Sequence, residues 1–103
     1  MKISVRRARL EDVEDIYSVM KLAFEDYRKI GYREAALQSA IISRSEIQRR
    51  INEEILLVAE TDKQIVGTVT GTIEYESMHV KTLATHPNFQ NLGVGTKLME
   101  EIE

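Results

Sequence analysis

A chain of 103 residues has room for one small domain, which would bury about two thirds of its unfolded surface. Its net charge of −3 and pI near 5.5 argue against nucleic-acid binding, and we expect neither a membrane-spanning segment nor a signal peptide. The lack of cysteine excludes disulfides, thiolate metal ligands and a cysteine nucleophile, and fits a cytoplasmic protein. No repeat or linker divides the sequence, so residues 1–103 are expected to form a single domain.

The N-terminal part predicts a strand followed by a helix. Alternating apolar residues predict a first strand over about residues 2–7. Glu11 and Asp12 are expected in the first turn of the helix, where its dipole favours negative charge, and Gly31 is a candidate stop. The apolar positions at helical spacing are Val13, Ile16, Tyr17, Met20, Phe24 and Tyr27.

Residues 33–53 predict a second helical region, which we expect to be broken in two. Ser43 and Ser45 each begin a capping-box pattern, so a helix is expected to restart near one of them. Ile47 and Ile51 would then face the core.

Three strands with short connections are predicted next. The apolar run 55–59 indicates a buried strand, and residues 61–64 a tight turn without the glycine that such hairpins prefer. Residues 64–75 alternate, which predicts a half-exposed strand, and residues 78–85 predict a further strand. One side of the alternating strand would carry Ile65, Gly67, Val69, Gly71, Ile73 and Tyr75, and the other Thr68, Thr70, Thr72 and Glu74. Such consecutive strands imply an antiparallel meander with helices on its faces.

The loop after the last strand is the most informative segment of the chain. It contains Gln90, Gly93 and Gly95 and leads into a predicted helix over residues 94–103. Glycines at a helix N-terminus let the backbone approach a ligand closely, and the amide groups there favour phosphate. By itself the loop fits a ligand-free tight turn, or a phosphate- or nucleotide-binding regulatory domain, as well as an enzyme.

In context, the loop resembles the acetyl-CoA signature of the GNAT superfamily of N-acetyltransferases, Gln/Arg-x-x-Gly-x-Gly/Ala. Gln90, Gly93 and Gly95 match that signature. The run Leu-Ala-Thr-His-Pro at residues 83–87 is similar to the family's Leu-Ala-Val-x-Pro, and a hairpin like that of residues 58–67 is common in the family. The resemblance covers the whole chain and implies an α+β fold ordered strand, helix, helix, three antiparallel strands, helix.

The resemblance also implies a cofactor site built from the main chain. Amides of residues 91–96 would hold the pyrophosphate of acetyl-CoA, and the strand at residues 83–85 would pair with its pantetheine arm. The amide of Leu83 would donate to the thioester oxygen. The implied cofactor-binding residues are Leu83, Ala84, Thr85, Gln90, Asn91, Leu92, Gly93, Val94, Gly95 and Thr96.

Acetyl transfer to an amine calls for a base, because an alkylamine is mostly protonated at pH 7. His79 is the first candidate, since it lies eleven residues before Gln90, where some family members carry a glutamate. An imidazole titrates in the useful range. Glu76 and Glu74 are alternatives, and each of the three residues also fits an ordinary solvated strand or turn position.

The family's usual catalytic tyrosine lies on a later helix, which this sequence does not reach. We therefore expect a partial domain whose last strand forms an open edge, and hence a homodimer or poor solubility. The acceptor is expected to be a small-molecule or peptide amine that passes Tyr32, Arg33 and Glu34. The alternative is a catalytically incomplete CoA-binding or interaction module, active only as an oligomer. No general acid is assigned among Tyr17, Tyr27, Tyr32 and Tyr75, and no metal-ligand cluster is visible.

Overall fold

The fold is one antiparallel sheet with helices on both faces; the computed structural model describes residues 2–29, 42–90 and 92–103. The elements in chain order are β1 (Ser4–Arg7), α1 (Val13–Lys29), α2 (Arg44–Glu53), β2 (Ile55–Thr61), β3 (Gln64–Glu74), β4 (Ser77–Thr85) and α3 (Val94–Ile102), with 3-10 turns at Leu10–Asp12 and Pro87–Phe89. The strands follow one another in the sheet as β1-β2-β3-β4, each antiparallel to its neighbour. The predicted α+β class, element order and meander are confirmed.

One face of the sheet is covered by α1 and α2. The buried apolar residues on this side are Val13, Ile16, Val19, Met20, Ala23, Ile47, Leu56, Val58, Ile65 and Ala84. Of the two predicted restart points, Ser43 is the N-cap of α2, and its side chain accepts a hydrogen bond from the Glu46 amide at 3.1 Å. Ile47 is buried and Ile51 packs against the same cluster, as predicted.

On the opposite face, α3 is the one helix among the described residues, and it lies directly on the backbone of β3. A Cβ added to Gly67 would come within 2.7 Å of Val94 Cγ1, and one added to Gly71 within 3.0 Å of Ile102 Cγ1, both side chains of α3. Glycine at these two strand positions therefore makes the room that α3 occupies. The buried residues on this side are Leu57, Ala59, Val66, Val69, Val94, Leu98 and Ile102.

The prediction that β3 is half exposed is wrong. Residues 65–71 are all buried, because helices cover the strand on both faces. Ile65 and Gly67 also lie on opposite faces instead of the same one, since the register with β2 shifts between Ala59 and Glu60. Tyr75 belongs to the turn after β3, with φ 52° and its side chain fully exposed.

The chain enters α1 differently from the prediction. Glu11 and Asp12 lie in the 3-10 turn before the helix, and Glu14 and Asp15 occupy the first helical turn. Asp12 is buried because its carboxylate accepts hydrogen bonds from the guanidinium of Arg6 at 2.8 and 3.1 Å. Pairing with β1, not the helix dipole, therefore explains this acidic residue.

The glycine-free turn between β2 and β3 forms as predicted. Asp62 and Lys63 both adopt left-handed backbone conformations, with φ of 50° and 65°. That combination matches the twist of the flanking strands.

Some predictions fall outside the part of the chain that the structure describes. They concern the stop at Gly31, the helical piece before residue 42, the acceptor-lining residues Tyr32, Arg33 and Glu34, and Asn91, together with the side chain of Tyr27. Among the helices that are described, none is both long and apolar enough to span a bilayer.

Candidate functional site

The turn between β4 and α3 ends in a left-handed cap. Gly93 is the N-cap of α3, with φ 85° and ψ 9°, a conformation that is costly for a residue with a Cβ. A Cβ at this position would meet no atom within 4 Å, so backbone conformation and not crowding calls for glycine here. The Gly93 carbonyl accepts the first helical hydrogen bond, from the Lys97 amide at 2.9 Å. The amides of the first turn have no acceptor within the helix and are donors for a ligand.

A cavity of about 340 Å³ opens at this cap. Its lining residues are Thr85, Phe89, Gln90, Gly93, Val94, Gly95 and Thr96. Six of the seven were predicted as cofactor-binding residues, and Phe89 is the addition. A second depression of about 510 Å³ shares Gly95 and Thr96 with the first and extends past Leu83. An open surface therefore runs from the N-terminus of α3 to the middle of β4.

The 3-10 turn before the cap is held by local hydrogen bonds. The amide of His86 donates to the Val66 carbonyl at 2.8 Å, which ties the turn to β3. His86 Nδ1 accepts from the Asn88 amide at 3.1 Å, and its ring meets Phe89 edge-on with centroids 5.4 Å apart. His86 is therefore the capping residue of the 3-10 turn that begins at Pro87.

The side chain of Gln90, which is half-buried, makes a hydrogen bond to α1. Its Nε2 donates to Oδ2 of Asp26 at 3.1 Å, across 64 positions of sequence. Sequence reasoning did not find Asp26, because nothing local distinguishes it from the other acidic residues of α1.

The remaining predicted cofactor-binding residues differ in exposure. Leu83 and Leu92 are 40% and 51% exposed, whereas Ala84 is buried under α1. None of the residues lining the cavity at Gly93 carries a charge, and Lys97 one turn further on lies 3.9 Å from Glu101. Any anion bound here would rely on backbone amides and the helix dipole.

The first candidate base lies on the opposite side of β4 from the cap. His79 pairs with Thr72, which places it on the face that α1 and α2 cover, and its Nε2 is 4.0 Å from Oε2 of Glu74. Leu83 pairs with Val69 and therefore belongs to the α3 face. Neither His79 nor the alternative base lines the cavity at Gly93.

That alternative base, Glu76, lies in the turn between β3 and β4. Its backbone is left-handed, with φ 65°, and its side chain is exposed. It stands at the far end of β4 from Gly93.

Between His79 and Leu83, β4 is bulged and anchored to α2. Thr82 and Val80 pair with adjacent residues of β3, which leaves Lys81 as the extra residue. The buried guanidinium of Arg50 donates to Thr82 Oγ1 at 2.9 Å. No local pattern distinguishes Arg50 as the residue that makes this contact, since it lies in a helix rich in charged residues.

Lys81 itself makes an ion pair with Glu54, at 2.7 Å. Burial opposes ionisation of this carboxyl group, but hydrogen bonds from Lys81 and Arg49 outweigh it and lower the pKa of Glu54. The extra residue of the bulge is therefore held to α2 by a charged pair.

Comparisons with known proteins point to one family of enzymes. The sequence profile of the acetyltransferase (GNAT) family matches residues 13–103. The chain is 29% identical over 110 aligned positions to the S-(2-succino)cysteine N-acetyltransferase of Bacillus subtilis (strain 168). The alignment takes in 100% of this chain and 65% of that relative, so the chain spans just under two thirds of its length.

Solved structures share the fold. The PaiA N-acetyltransferase of Thermoplasma acidophilum, in complex with coenzyme A, superposes with a TM-score of 0.86 at 21% identity, over 98% of this chain and 69% of that one. A GNAT family acetyltransferase from Brucella melitensis, in complex with acetyl-CoA, gives 0.71 at 22% identity, over 97% and 65%. At these identities the likeness establishes the architecture.

Proposed function

The chain belongs to the acetyltransferase (GNAT) family, and on that premise we propose that it binds acetyl-CoA and transfers the acetyl group to a primary amine. The observation that carries the proposal is the left-handed Gly93 cap together with the cavity at the end of β4, which the first residues of α3 line. A diphosphate in that cavity would receive several N–H donors and the favourable field of the helix dipole. The Thermoplasma and Brucella proteins were solved with CoA and acetyl-CoA.

The residues present fit such a ligand. No atom lies within 4 Å of the place where a Cβ on Gly93 would stand, so a phosphate can approach the backbone there. Within the described part of the chain, β4 pairs only with β3, and its outer edge offers N–H and C=O groups. We assign main-chain groups of residues 83–85 to the amides of the pantetheine arm, as in strand addition.

The reaction then divides between the two faces of β4. Acetyl-CoA supplies a thioester, so a C–N bond to the amine forms, the C–S bond breaks and the amine loses a proton. We assign the Leu83 amide to donate to the carbonyl oxygen as negative charge develops on it. We assign His79 to accept the proton of the amine, directly or through water, with Glu74 stabilising the imidazolium. Glu76 is the alternative base.

We propose a small-molecule or peptide amine as the acceptor. The Bacillus relative is an N-acetyltransferase of S-(2-succino)cysteine, so amines carried on amino acids are the first class to test. The second candidate function, a CoA-binding module without turnover, is separated from the first by release of free CoA thiol.

The test combines CoA titration calorimetry with thiol release from acetyl-CoA in the presence of a panel of amines. We expect saturable heat of binding and thiol release with at least one amine. At pH 7, His79→Ala should lower turnover by about a hundredfold and leave CoA affinity unchanged. Unchanged turnover would remove His79 from the mechanism. Binding without thiol release would favour the module, and no heat at millimolar CoA would overturn the proposal.

We also propose a cytoplasmic homodimer. The cysteine-free sequence needs no oxidising compartment. The two copies would meet through the first half of β4, where Val80 is 38% exposed, beside the exposed Ile73 and Tyr75. This contact leaves residues 83–85 to the cofactor. Sedimentation equilibrium at tens of micromolar should give the dimer mass, whereas the monomer mass throughout would contradict the dimer.

A further inference from the structure

We propose that Gln90 is a positioning residue: its side-chain amide holds the cofactor turn against α1 through Asp26 and does not itself contact the diphosphate. This inference rests on the proposed function of the Gly93 turn. Gln90 Nε2 donates to Asp26 Oδ2 at 3.1 Å, and both residues are half-buried. A hydrogen bond to a charged carboxylate is stronger than one between neutral groups, so the amide is held on α1.

The backbone hydrogen bonds that the structure describes around this contact are mostly local to the 3-10 turn. Before it, the His86 amide is bonded to the Val66 carbonyl of β3, and after it the Gly93 carbonyl is bonded to Lys97 of α3. Between these points, the amide of Gln90 reaches the Pro87 carbonyl only at 3.5 Å, at the limit of a hydrogen bond. Among the described residues, Phe89 packs against the core under α3, and the Gln90 side chain supplies a hydrogen bond that links the middle of the loop to α1.

Such a link favours ligand binding, because less of the loop has to become ordered when the ligand binds. A turn already held in place loses less conformational entropy when a diphosphate settles on its amides. The partner that α1 provides is a carboxylate, which by itself would repel the diphosphate. Donation from the amide of Gln90 compensates that charge, so position 90 needs a donor as long as position 26 is acidic.

The decisive experiment exchanges the carboxylate of position 26 and the amide of position 90. Gln90→Glu alone sets two carboxylates against each other, and we expect CoA binding to weaken about tenfold. The double variant Asp26→Asn with Gln90→Glu restores one donor and one acceptor at the same chain lengths, and we expect affinity within about twofold of the wild type. Asp26→Ala removes the acceptor on α1 and changes no residue assigned to the ligand, and it should weaken CoA binding about threefold to fivefold.

CoA calorimetry and acetyl-CoA kinetics provide the readouts, with thermal melting to verify folding. A positioning role predicts that Gln90→Glu raises KM for acetyl-CoA more than it lowers kcat and that the exchange restores KM. If Gln90 contacts the diphosphate directly, Asp26→Ala will leave affinity unchanged and the double variant will stay as weak as Gln90→Glu, which overturns the inference. Failure of the proposed function looks different, because the wild type would then bind no CoA.

Discussion

The two faces of the sheet are joined to their helices by different chemistry. On the face that α1 and α2 cover, buried polar groups cross the interface: Arg50 donates to Thr82, and Arg6 to Asp12. On the face that α3 covers, the contact is apolar, and the lack of a side chain at Gly67 leaves the space that Val94 occupies. The first interface therefore depends on partners and charge, and the second on volume.

This difference coincides with the proposed division of labour along β4. His79 lies on the face that α1 and α2 cover, which is the polar face. Leu83 and the Gly93 turn lie on the face that α3 covers, which is the apolar face. A strand that exposes alternate residues to two unlike surroundings can present a titratable group on one side and main-chain donors beside an apolar surface on the other. Each face can be perturbed separately, and the following predictions do so.

The largest effect is expected at Arg50. Arg50→Ala removes the buried donor of Thr82 and leaves Glu46, which accepts from Arg50 Nε at 3.2 Å, with one partner fewer. Removing one partner of a buried charged network costs about 3 kcal/mol, and urea denaturation should show that loss in the free energy of unfolding. Arg49→Ala is the matched control, because Arg49 lies beside it on α2 but is 42% exposed. Equal losses in the two variants would mean that the polar face is not held by its buried arginine.

Gly67→Ala tests the apolar face. The new Cβ would approach the stiff side chain of Val94 to 2.7 Å and the Ala84 carbonyl to 3.3 Å, so α3 has to move away from the sheet. Overpacking of this kind costs about 2 kcal/mol. Gly71→Ala is the comparison, since a Cβ there meets the flexible end of Met78 at 2.8 Å and Ile102, the last residue of α3, at 3.0 Å, and a smaller loss is expected. Equal unfolding free energies for the wild type and Gly67→Ala would contradict direct contact between α3 and the β3 backbone.

The face that α1 and α2 cover also explains why the predicted half-exposure of β3 is wrong. The alternation over residues 64–75 is genuine, but Thr68 and Thr70, on that face, are buried and do not mark a side in contact with solvent. Thr68 is buried because its hydroxyl donates to the Leu57 carbonyl at 2.9 Å. Thr70 is buried within reach of Arg50, at 3.4 Å. A hydroxyl satisfied within the sheet gives the same sequence pattern as one satisfied by water.

Features that depend on residues close in sequence could be predicted better than contacts between distant segments. Capping by Ser43 and the left-handed cap at Gly93 were predictable because both depend on neighbours in sequence. The pairing of Gln90 with Asp26 and the burial of Arg50 join residues from separate elements, and a single sequence contains no record of such pairs. The loop and the helix start at Gly93 could thus be predicted, whereas the side-chain contacts between distant elements could not.

Acid should weaken the polar face selectively. The hydrogen bonds from Arg6 lower the pKa of Asp12 below its ordinary value. A carboxyl group whose pKa is lower in the folded state stabilises it fully above the unfolded-state pKa, near 3.9, and loses that contribution as the pH falls further. Unfolding free energy should therefore fall by about 1.5 kcal/mol from this pair between pH 7 and strongly acid solution.

Asp12→Asn should lower stability at pH 7 and reduce the loss on acidification, and urea denaturation as a function of pH measures both effects. The same acid dependence in the variant and the wild type would show that Asp12 does not cause it.

The smallest change in stability, and the most informative for function, is expected at the N-terminus of α3. Gly93→Ala places a Cβ on a left-handed residue and should cost about 1 kcal/mol of folding free energy, with no clash inside the protein. Gly95→Ala adds a Cβ in ordinary van der Waals contact within a helix, where alanine is favoured, and should leave stability unchanged or slightly higher.

CoA affinity separates the two variants again. We expect at least a tenfold loss for Gly93→Ala, because the strain shifts the very amides assigned to the diphosphate, and little change for Gly95→Ala, because the family signature accepts alanine there. Calorimetry with CoA on both variants makes the comparison. If both variants bind CoA as tightly as the wild type, the left-handed conformation of Gly93 serves only to start α3. Gly93 would then have a purely structural role in this helix, as Gly67 has.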